Sequence, residues 1–218
     1  MVTPTVTSSL LSDETCLLNN ETCDLQIDCI DYTLQFDIYS RGVAIVGVKN
    51  HHNKPLEIYL PDQVNSMDVV EIIPTCFMNR TDILKITHWP RYLRVIGERA
   101  FKGCTLLSSC LIIPNYVAEI GDQAFSDCIH LEVVELPFLL KKISTDSFSG
   151  CERLRMLVYN SYHAVEVLYR GKSINGRFEL PLEVSIRTLL YVPYNIFTHV
   201  KRASSDLYFR DIIAICGR

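Results

Sequence analysis

The sequence predicts an α/β solenoid dominated by β-strands, and two observations carry this prediction: a repeated frame of fourteen residues and the apolar run that follows it. The frame occurs as MDVVEIIPTCFMNR (67–80), RYLRVIGERAFKGC (91–104), NYVAEIGDQAFSDC (115–128) and FLLKKISTDSFSGC (138–151). Its phenylalanine recurs after 24, 24 and then 23 residues. A period between about 20 and 50 residues is typical of a solenoid, because each unit is too small to close its own core.

Equivalent positions of the frame are expected to lie directly over one another in stacked coils. Three positions are apolar in every copy and predict three buried columns. The columns are Val69, Leu93, Val117 and Leu140; Ile72, Ile96, Ile120 and Ile143; and Phe77, Phe101, Phe125 and Phe148. The last position holds Cys104, Cys128 and Cys151, but Arg80 in the first copy. We expect the cysteines to form a buried column of small side chains.

The position before the last predicts a tight turn in every coil. It is occupied by Asn79, Gly103, Asp127 and Gly150. Asparagine, aspartate and glycine tolerate positive φ more readily than other residues do. We therefore expect a left-handed residue at this point of each coil.

The apolar runs after the first three frames are interpreted as strands. They end at Pro90, Pro114 and Pro137. Proline can close a strand but cannot sit within its ladder. The first two runs are one residue longer than the third, which predicts a bulge. We expect Ile86 and Val134 to point inward, and the extra residue, Trp89 or Ile113, to lie just before the proline.

The repeats also carry a family resemblance. The pattern I-G-x-x-A-F-x-x-C-x-x-L followed by I-x-P, as in IGERAFKGCTLL and IGDQAFSDCIHL, resembles the BspA-like leucine-rich repeats of many bacterial and some protist proteins. The resemblance implies a right-handed leucine-rich repeat solenoid, rich in β-structure, whose family members mostly bind proteins or act as surface adhesins. Arg80, Ser144 and Ser147 depart from the pattern and mark their coils as edge-like.

The chain is predicted to consist of a short tail and one repeat domain. Residues 1–31 are polar and are interpreted as a tail or an irregular cap, followed by the leucine-rich repeat domain at 32–218, with regular repeats over about 62–160. Alternating apolar residues from Tyr32 to Ile38 predict an N-terminal β-hairpin cap. A strand or short helix is expected around 163–169 and a strand at 177–180. The C-terminal cap, about 188–216, is predicted to contain a strand ending at Pro193 and a helix from about 195 to 203.

Composition and charge restrict the possible partners and location. The 218 residues are 48% hydrophobic and carry a formal charge of −4, which argues against a nucleic-acid partner because no basic patch is present. No apolar run approaches eighteen residues, so we expect no membrane insertion. The N-terminus lacks the basic start and apolar core of a signal peptide. The sequence as it stands therefore predicts a cytoplasmic protein, or an extracellular or cell-surface protein if a signal has been removed.

Nine cysteines could suggest a disulfide scaffold. Three of them share one frame position, the total is odd, and the chain is long, so free thiols are the favoured interpretation. The alternative is a disulfide among Cys16, Cys23 and Cys29. Their spacings of 7 and 6 residues lack the paired pattern of a zinc site.

No catalytic, cofactor-binding or metal-binding constellation is found, and we predict a non-catalytic protein-binding module. The candidate partner-binding face consists of the side chains expected to point outward from successive strands, namely Lys85, Thr87, Ser109, Leu111, Val133, Glu135, Met156 and Val158. The partner is expected to be a protein, and self-association is an open alternative. The other hypotheses are a secreted or cell-surface adhesin, and an enzyme that pairs Cys110 with His88 or His130, or uses Cys76.

Overall fold

The computed structural model describes residues 25–39, 42–161, 166–169, 172–173, 187–194, 197 and 210–215. These residues form seventeen strands. In chain order the strands are β1 (Leu25–Asp28), β2 (Tyr32–Tyr39), β3 (Gly42–Asn50), β4 (Leu56–Tyr59), β5 (Gln63–Val64), β6 (Met67–Ile72), β7 (Ile83–His88), β8 (Val95–Ile96), β9 (Cys110–Ile112), β10 (Glu119–Ile120), β11 (Val133–Leu136), β12 (Lys142–Ser144), β13 (Met156–Tyr159), β14 (Glu166–Tyr169), β15 (Lys172–Ser173), β16 (Leu189–Pro193) and β17 (Asp211–Ile215).

Most strands belong to two ladders. The first ladder has the order β1-β2-β3-β6-β8-β10-β12-β14-β15, with β5 paired to β6 at its side. The second has the order β9-β11-β13-β16-β17, while β4 and β7 form a separate pair. Neighbours are parallel from β3 to β14 and from β9 to β17. Parallel pairing between successive coils confirms the predicted strand-dominated solenoid.

The three predicted apolar columns form the core. Each of their twelve side chains is at most 1% exposed. The phenylalanine rings stack, with centroid separations of 4.9 Å for Phe77 and Phe101, 5.2 Å for Phe101 and Phe125, and 5.5 Å for Phe125 and Phe148. Each coil therefore buries its ring between the rings of its neighbours, as expected for units that share one core.

The cysteine column is buried and hydrogen-bonded between coils. The Sγ–H groups of Cys104, Cys128 and Cys151 donate to the carbonyls of Phe77, Phe101 and Phe125, each in the preceding coil, at 3.1, 3.2 and 3.2 Å. Burial raises the pKa of Cys104 and of Cys151 to about 12. These thiols are therefore protonated at neutral pH and serve as small packing groups that also satisfy a carbonyl.

The predicted left-handed turns are confirmed in all four coils. The φ angles are 58° at Asn79, 71° at Gly103, 60° at Asp127 and 74° at Gly150. A Cβ atom on Gly103 would lie only 2.5 Å from Oδ1 of Asn79, and one on Gly150 would collide with Oδ1 of Asp127. The side chain of one coil thus occupies the space that the glycine of the next coil leaves open.

Arg80 replaces cysteine where the solenoid meets the N-terminal hairpin. Its Nη1 donates to the carbonyl of Val48 at 2.5 Å, and its Nε and Nη2 bind the Asp82 carboxylate at 2.8 and 2.7 Å. Asn50 donates to the same carboxylate at 2.7 Å. The hydrogen bonds from Arg80 lower the pKa of Asp82 to about 2. A longer side chain is used here because the carbonyl that it reaches belongs to β3 and not to a preceding phenylalanine.

The N-terminal hairpin is present and begins earlier than predicted. Strands β2 and β3 are antiparallel, as expected, and β1 adds a third antiparallel strand from within the segment assigned to the tail. Leu34 and Phe36 are buried, whereas Ile38 lies at the end of β2 and is 51% exposed. The hairpin is continuous with the first ladder through the pairing of β3 with β6.

The C-terminal strands extend both ladders. Strand β14 lies in the range predicted as a strand or short helix, and β16 ends at Pro193, as predicted. The strand expected at 177–180 lies outside the described residues, and so does the helix expected over about 195–203 except for Phe197. Among the described residues only Tyr194 and Phe197 have helical backbone, so the helical share that an α/β class implies is very small.

Replacement of Phe125 by alanine is expected to lower the free energy of unfolding by about 3–5 kcal/mol, because it leaves a cavity between two stacked rings. Urea denaturation measures the change. Leu106→Ala is the control, since Leu106 is 41% exposed and its truncation should cost less than about 0.5 kcal/mol. Equal losses in the two variants would contradict the shared phenylalanine column.

Gly103→Ala is expected to destabilise the chain by at least about 1 kcal/mol, because φ is positive and Oδ1 of Asn79 is too close. The same substitution in an Asn79→Gly background should cost less, since only the backbone strain remains. Thermal unfolding of the four proteins forms a double-mutant cycle. A cost that is identical in both backgrounds would mean that Asn79 does not fill the space beside Gly103.

Asp82→Asn is expected to destabilise the chain at pH 7 but progressively less in acid. The pKa of Asp82 lies below the value of about 3.9 expected in the unfolded chain, so its contribution is present above about pH 4 and is lost as the pH falls toward 2. Urea denaturation at pH 7, 4 and 2.5 measures this trend. Asp31→Asn, at an exposed residue, is the control. A wild-type advantage that stays constant with pH would contradict the ion-pair assignment.

Candidate partner-binding face

The strands of the second ladder turn alternate side chains outward, and we call this outward surface the strand face. Buried residues alternate with half-buried ones, which are Val133 and Glu135 in β11 and Met156 and Val158 in β13. The parallel register places Val133 beside Met156 and Glu135 beside Val158. The strand face therefore carries two rows of side chains that cross the strands.

Each row can be followed along the whole ladder. The first row is Cys110, Val133, Met156, Leu189 and Asp211, and the second is Ile112, Glu135, Val158, Tyr191 and Ile213. Lys85 and Thr87 are the outward residues of the preceding strand, β7. Both rows are mostly apolar, and Ile112 is 59% exposed. The rows thus form a mostly apolar strip, interrupted by Glu135, which begins beside the cationic Lys85 and which we call the apolar strip.

The predicted partner-binding residues point outward with one exception. Lys85, Thr87 and Ser109 are exposed, and Val133, Glu135, Met156 and Val158 are half-buried on the outward side. The outward orientation predicted for Leu111 is wrong, because Leu111 is 5% exposed and lies beside the buried Val134. Cys110 and Ile112, which the sequence analysis did not select, hold the outward positions of β9.

The error at Leu111 arises from the place of the extra residue in the second apolar run. Inward residues are separated by three positions from Ile83 to Ile86 and from Leu131 to Val134, but by four from Leu107 to Leu111. The extra residue of this run therefore precedes Leu111. Ile113, which was predicted to be the extra residue, is 1% exposed and belongs to the core.

In the first run the extra residue lies after Ile86, as predicted. Ile86 is buried, and Trp89, just before Pro90, is half-buried with its ring 5.7 Å from that of Phe101. The pairing of β4 with β7 shifts register twice, which accommodates the additional length. Strands β7 and β9 thus each contain one extra residue, but at different positions along the strand. Their inward and outward positions therefore do not keep a common register.

The charged groups of the strand face differ in their surroundings. The Glu135 carboxylate accepts a hydrogen bond of 2.6 Å from Nδ2 of Asn160. Lys85 is exposed and forms no ion pair within the described residues. Glu135 is therefore held by a neighbour on the same face, whereas Lys85 is available to a group outside the chain.

A polar cluster closes the β4–β7 pair at its proline end. Asp62 accepts hydrogen bonds from the Arg91 backbone N–H at 2.6 Å and from Nε2 of His88 at 3.1 Å, and the His88 ring stacks on Tyr59 at 4.6 Å. Burial alone would raise the pKa of Asp62, but these hydrogen bonds lower it below its usual value. The cluster fixes the end of β7 and leaves its outward side chains free of these contacts.

The hypothetical cysteine–histidine pairs are not brought together. Cys110 exchanges hydrogen bonds with Ser108, whereas His88 contacts Asp62 and His130 contacts the carbonyl of Thr105. Burial raises the pKa of the Cys76 thiol, which makes it a poor nucleophile. Among the described residues, no histidine forms a hydrogen bond with either candidate thiol.

The described ranges hold no candidate metal site and no candidate membrane-spanning helix. No group of three or more histidine, cysteine, aspartate or glutamate side chains in them is placed to hold a metal ion. No helix there has the length and apolar character needed to cross a bilayer. The six cysteines that the structure describes, at 29, 76, 104, 110, 128 and 151, are free thiols, while the remaining three lie outside the described residues.

Comparison with known proteins agrees with the repeat architecture. A model of the BspA type leucine rich repeat region matches residues 58–167 in six copies. The crystal structure of a leucine rich repeat protein from T. pallidum has a TM-score of 0.50 and 18% identity, with 84% of this chain and 97% of that chain covered. The pneumococcal vaccine antigen PcpA has a TM-score of 0.55 and 16% identity over 84% of this chain and 48% of that chain. No curated protein sequence matches.

Proposed function

The chain belongs to the BspA-type leucine-rich repeat family, and we propose that it is a non-catalytic protein-binding module that holds its partner on the strand face. The observation that carries this proposal is the apolar strip of that face. Its first row runs from Cys110 through Val133 to Met156, and its second row runs from Ile112 past Glu135 to Val158. Apolar side chains that stay at least partly exposed side by side across several strands are typical of interaction sites.

The architecture supports the same function. The ladder holds its outward side chains at fixed separations on a rigid surface, because the inward side chains of β9, β11, β13 and β16 are buried in the shared core. An extended surface of this kind suits a protein partner better than a small molecule, which needs a deep enclosed site. A second copy of the chain is one partner that the face could accept.

The second candidate function is attachment at a cell surface, as an adhesin. It is supported by the family to which the chain belongs and by the likeness in fold to a vaccine antigen. Brief protease treatment of intact native cells distinguishes the candidates. Cleavage of the chain without lysis favours an exported binder, whereas protection until lysis favours an intracellular partner.

Val158→Arg is expected to weaken partner binding by at least about tenfold, because it places a charge in the centre of the apolar strip. Affinity for the partner recovered by cross-linking in native cells, together with sedimentation for self-association, measures the effect. Leu139→Arg adds the same charge to an exposed apolar residue in a turn outside both ladders and should leave binding unchanged. Equal affinities for the two variants would remove the strand face as the binding site.

A further inference from the structure

The second ladder is interrupted between β7 and β9, where a slot opens onto the strand face. These strands follow one another in successive coils, yet no ladder joins them. One backbone hydrogen bond connects the coils at the start of the strands, from Ser108 N–H to the Leu84 carbonyl at 2.7 Å. Beyond it, the backbone of Cys110 is bonded to the Ser108 side chain. The interruption leaves a cavity of about 180 Å³.

The interruption follows from the different positions of the extra residue along β7 and along β9. A parallel ladder that keeps one register needs the same number of residues between equivalent positions in both strands, unless a bulge takes up the difference. Ile83 and Leu107 are equivalent inward residues, but the next inward residue comes three positions later in β7 and four positions later in β9. Strand β9 still pairs with β11 because both continue with a two-residue step, from Leu111 to Ile113 and from Val134 to Leu136. In β7 the extra residue follows Ile86, so β7 and β9 stay out of register beyond their first level, and the slot is built into the sequence.

The slot has the lining and the size for one apolar side chain. Ile86, Leu107 and Leu111 form its floor and are between 2% and 8% exposed, and Trp89 lines its proline end. An apolar cavity of about 150 Å³ is large enough to bind benzene. A slot of about 180 Å³ can thus accept an aromatic ring or a branched aliphatic group.

The rim of the slot indicates what should lie next to that side chain. Lys85 and Ile112 line the rim, one cationic and one apolar. Lys85 has no ion-pair partner in the described residues, so a carboxylate beside the inserted group would complement it. The apolar strip continues from Ile112 across β11 and β13, so an occupant that ended at the slot would leave most of the strip uncovered.

We propose that the slot between β7 and β9 is the anchor pocket of the strand face. Its occupant is a polypeptide segment of a partner protein that carries an aromatic or branched aliphatic side chain next to an acidic residue. The apolar side chain enters the slot, the acidic side chain pairs with Lys85, and the segment continues over the apolar strip. This inference rests on the proposed protein-binding function and adds the chemistry of the segment that is bound.

Selection of a displayed library of random twelve-residue peptides on the whole chain tests the proposal. Bound peptides should carry an aromatic or branched aliphatic residue beside aspartate or glutamate. Ser108→Leu fills the slot and Lys85→Glu reverses the rim charge, and each should weaken binding at least tenfold. The matched controls, Thr81→Leu at an exposed turn residue outside the slot and Lys141→Glu at an exposed site on the first-ladder side, should change it less than twofold.

A second measurement on the unaltered chain does not depend on the folding of a variant. Cys110 is exposed and lines the slot, whereas Cys104, Cys128 and Cys151 are buried and serve as internal controls. A selected peptide should slow the alkylation of Cys110 by iodoacetamide at least fivefold, as read by peptide mass spectrometry. The buried thiols should remain unmodified with or without the peptide.

Several outcomes would overturn the proposal. If the selected peptides bind Ser108→Leu as tightly as the wild type and leave Cys110 alkylation unchanged, the slot is excluded as their binding site. If the same peptides no longer bind Val158→Arg, the strand face remains the binding site. Insensitivity to all of these variants would remove both. A selection that yields no binding peptide would also exclude a partner peptide. The same holds if Cys110 is protected only by phenylacetate, which tests the slot for a small aromatic ligand. It holds as well if the protection rises with the concentration of the chain itself, which would indicate self-association.

Discussion

The fold depends on one geometrical constraint, which is that each coil must place the same kind of side chain directly over its equivalent in the coil before. The stacked rings from Phe77 to Phe148 meet this constraint at centroid separations of 4.9–5.5 Å. The cysteine column meets it differently, since each thiol donates to a carbonyl one coil back. The core of a solenoid is made by neighbouring coils, so these columns supply the burial that other folds obtain from packing distant elements together.

The same constraint explains where the molecule is irregular. At the first coil no earlier phenylalanine carbonyl exists, and Arg80 reaches instead to Val48 of the hairpin. At the second ladder two neighbouring strands carry their extra residue at different heights, so the ladder opens between β7 and β9. The buried side-chain columns thus remain regular, whereas strand pairing at the surface is interrupted between β7 and β9. The candidate site lies at the point where successive coils cease to be equivalent.

Much of the regular part of the fold could be predicted from the sequence, because columns and turns are properties of single frame positions. The buried columns and the four left-handed turns were read from residue type and period alone. The orientation of Leu111 could not be derived in this way, since a run of apolar residues has no alternation to show on which side the extra residue falls. Thr75, Arg99 and Gln123 also have positive φ, at 61°, 53° and 51°, and their residue types gave no signal for it.

The alternation of Asn79, Gly103, Asp127 and Gly150 has a consequence for how such a chain can change in length. A coil that projects an amide or carboxylate oxygen toward the next one must be followed by a coil with glycine, since a Cβ there has no room. Loss of the single coil that contains Gly103 would place Asp127 against Asn79, whereas loss of the two coils with Gly103 and Asp127 would place Gly150 there. The unit of duplication or deletion that this stack tolerates is therefore a pair of coils.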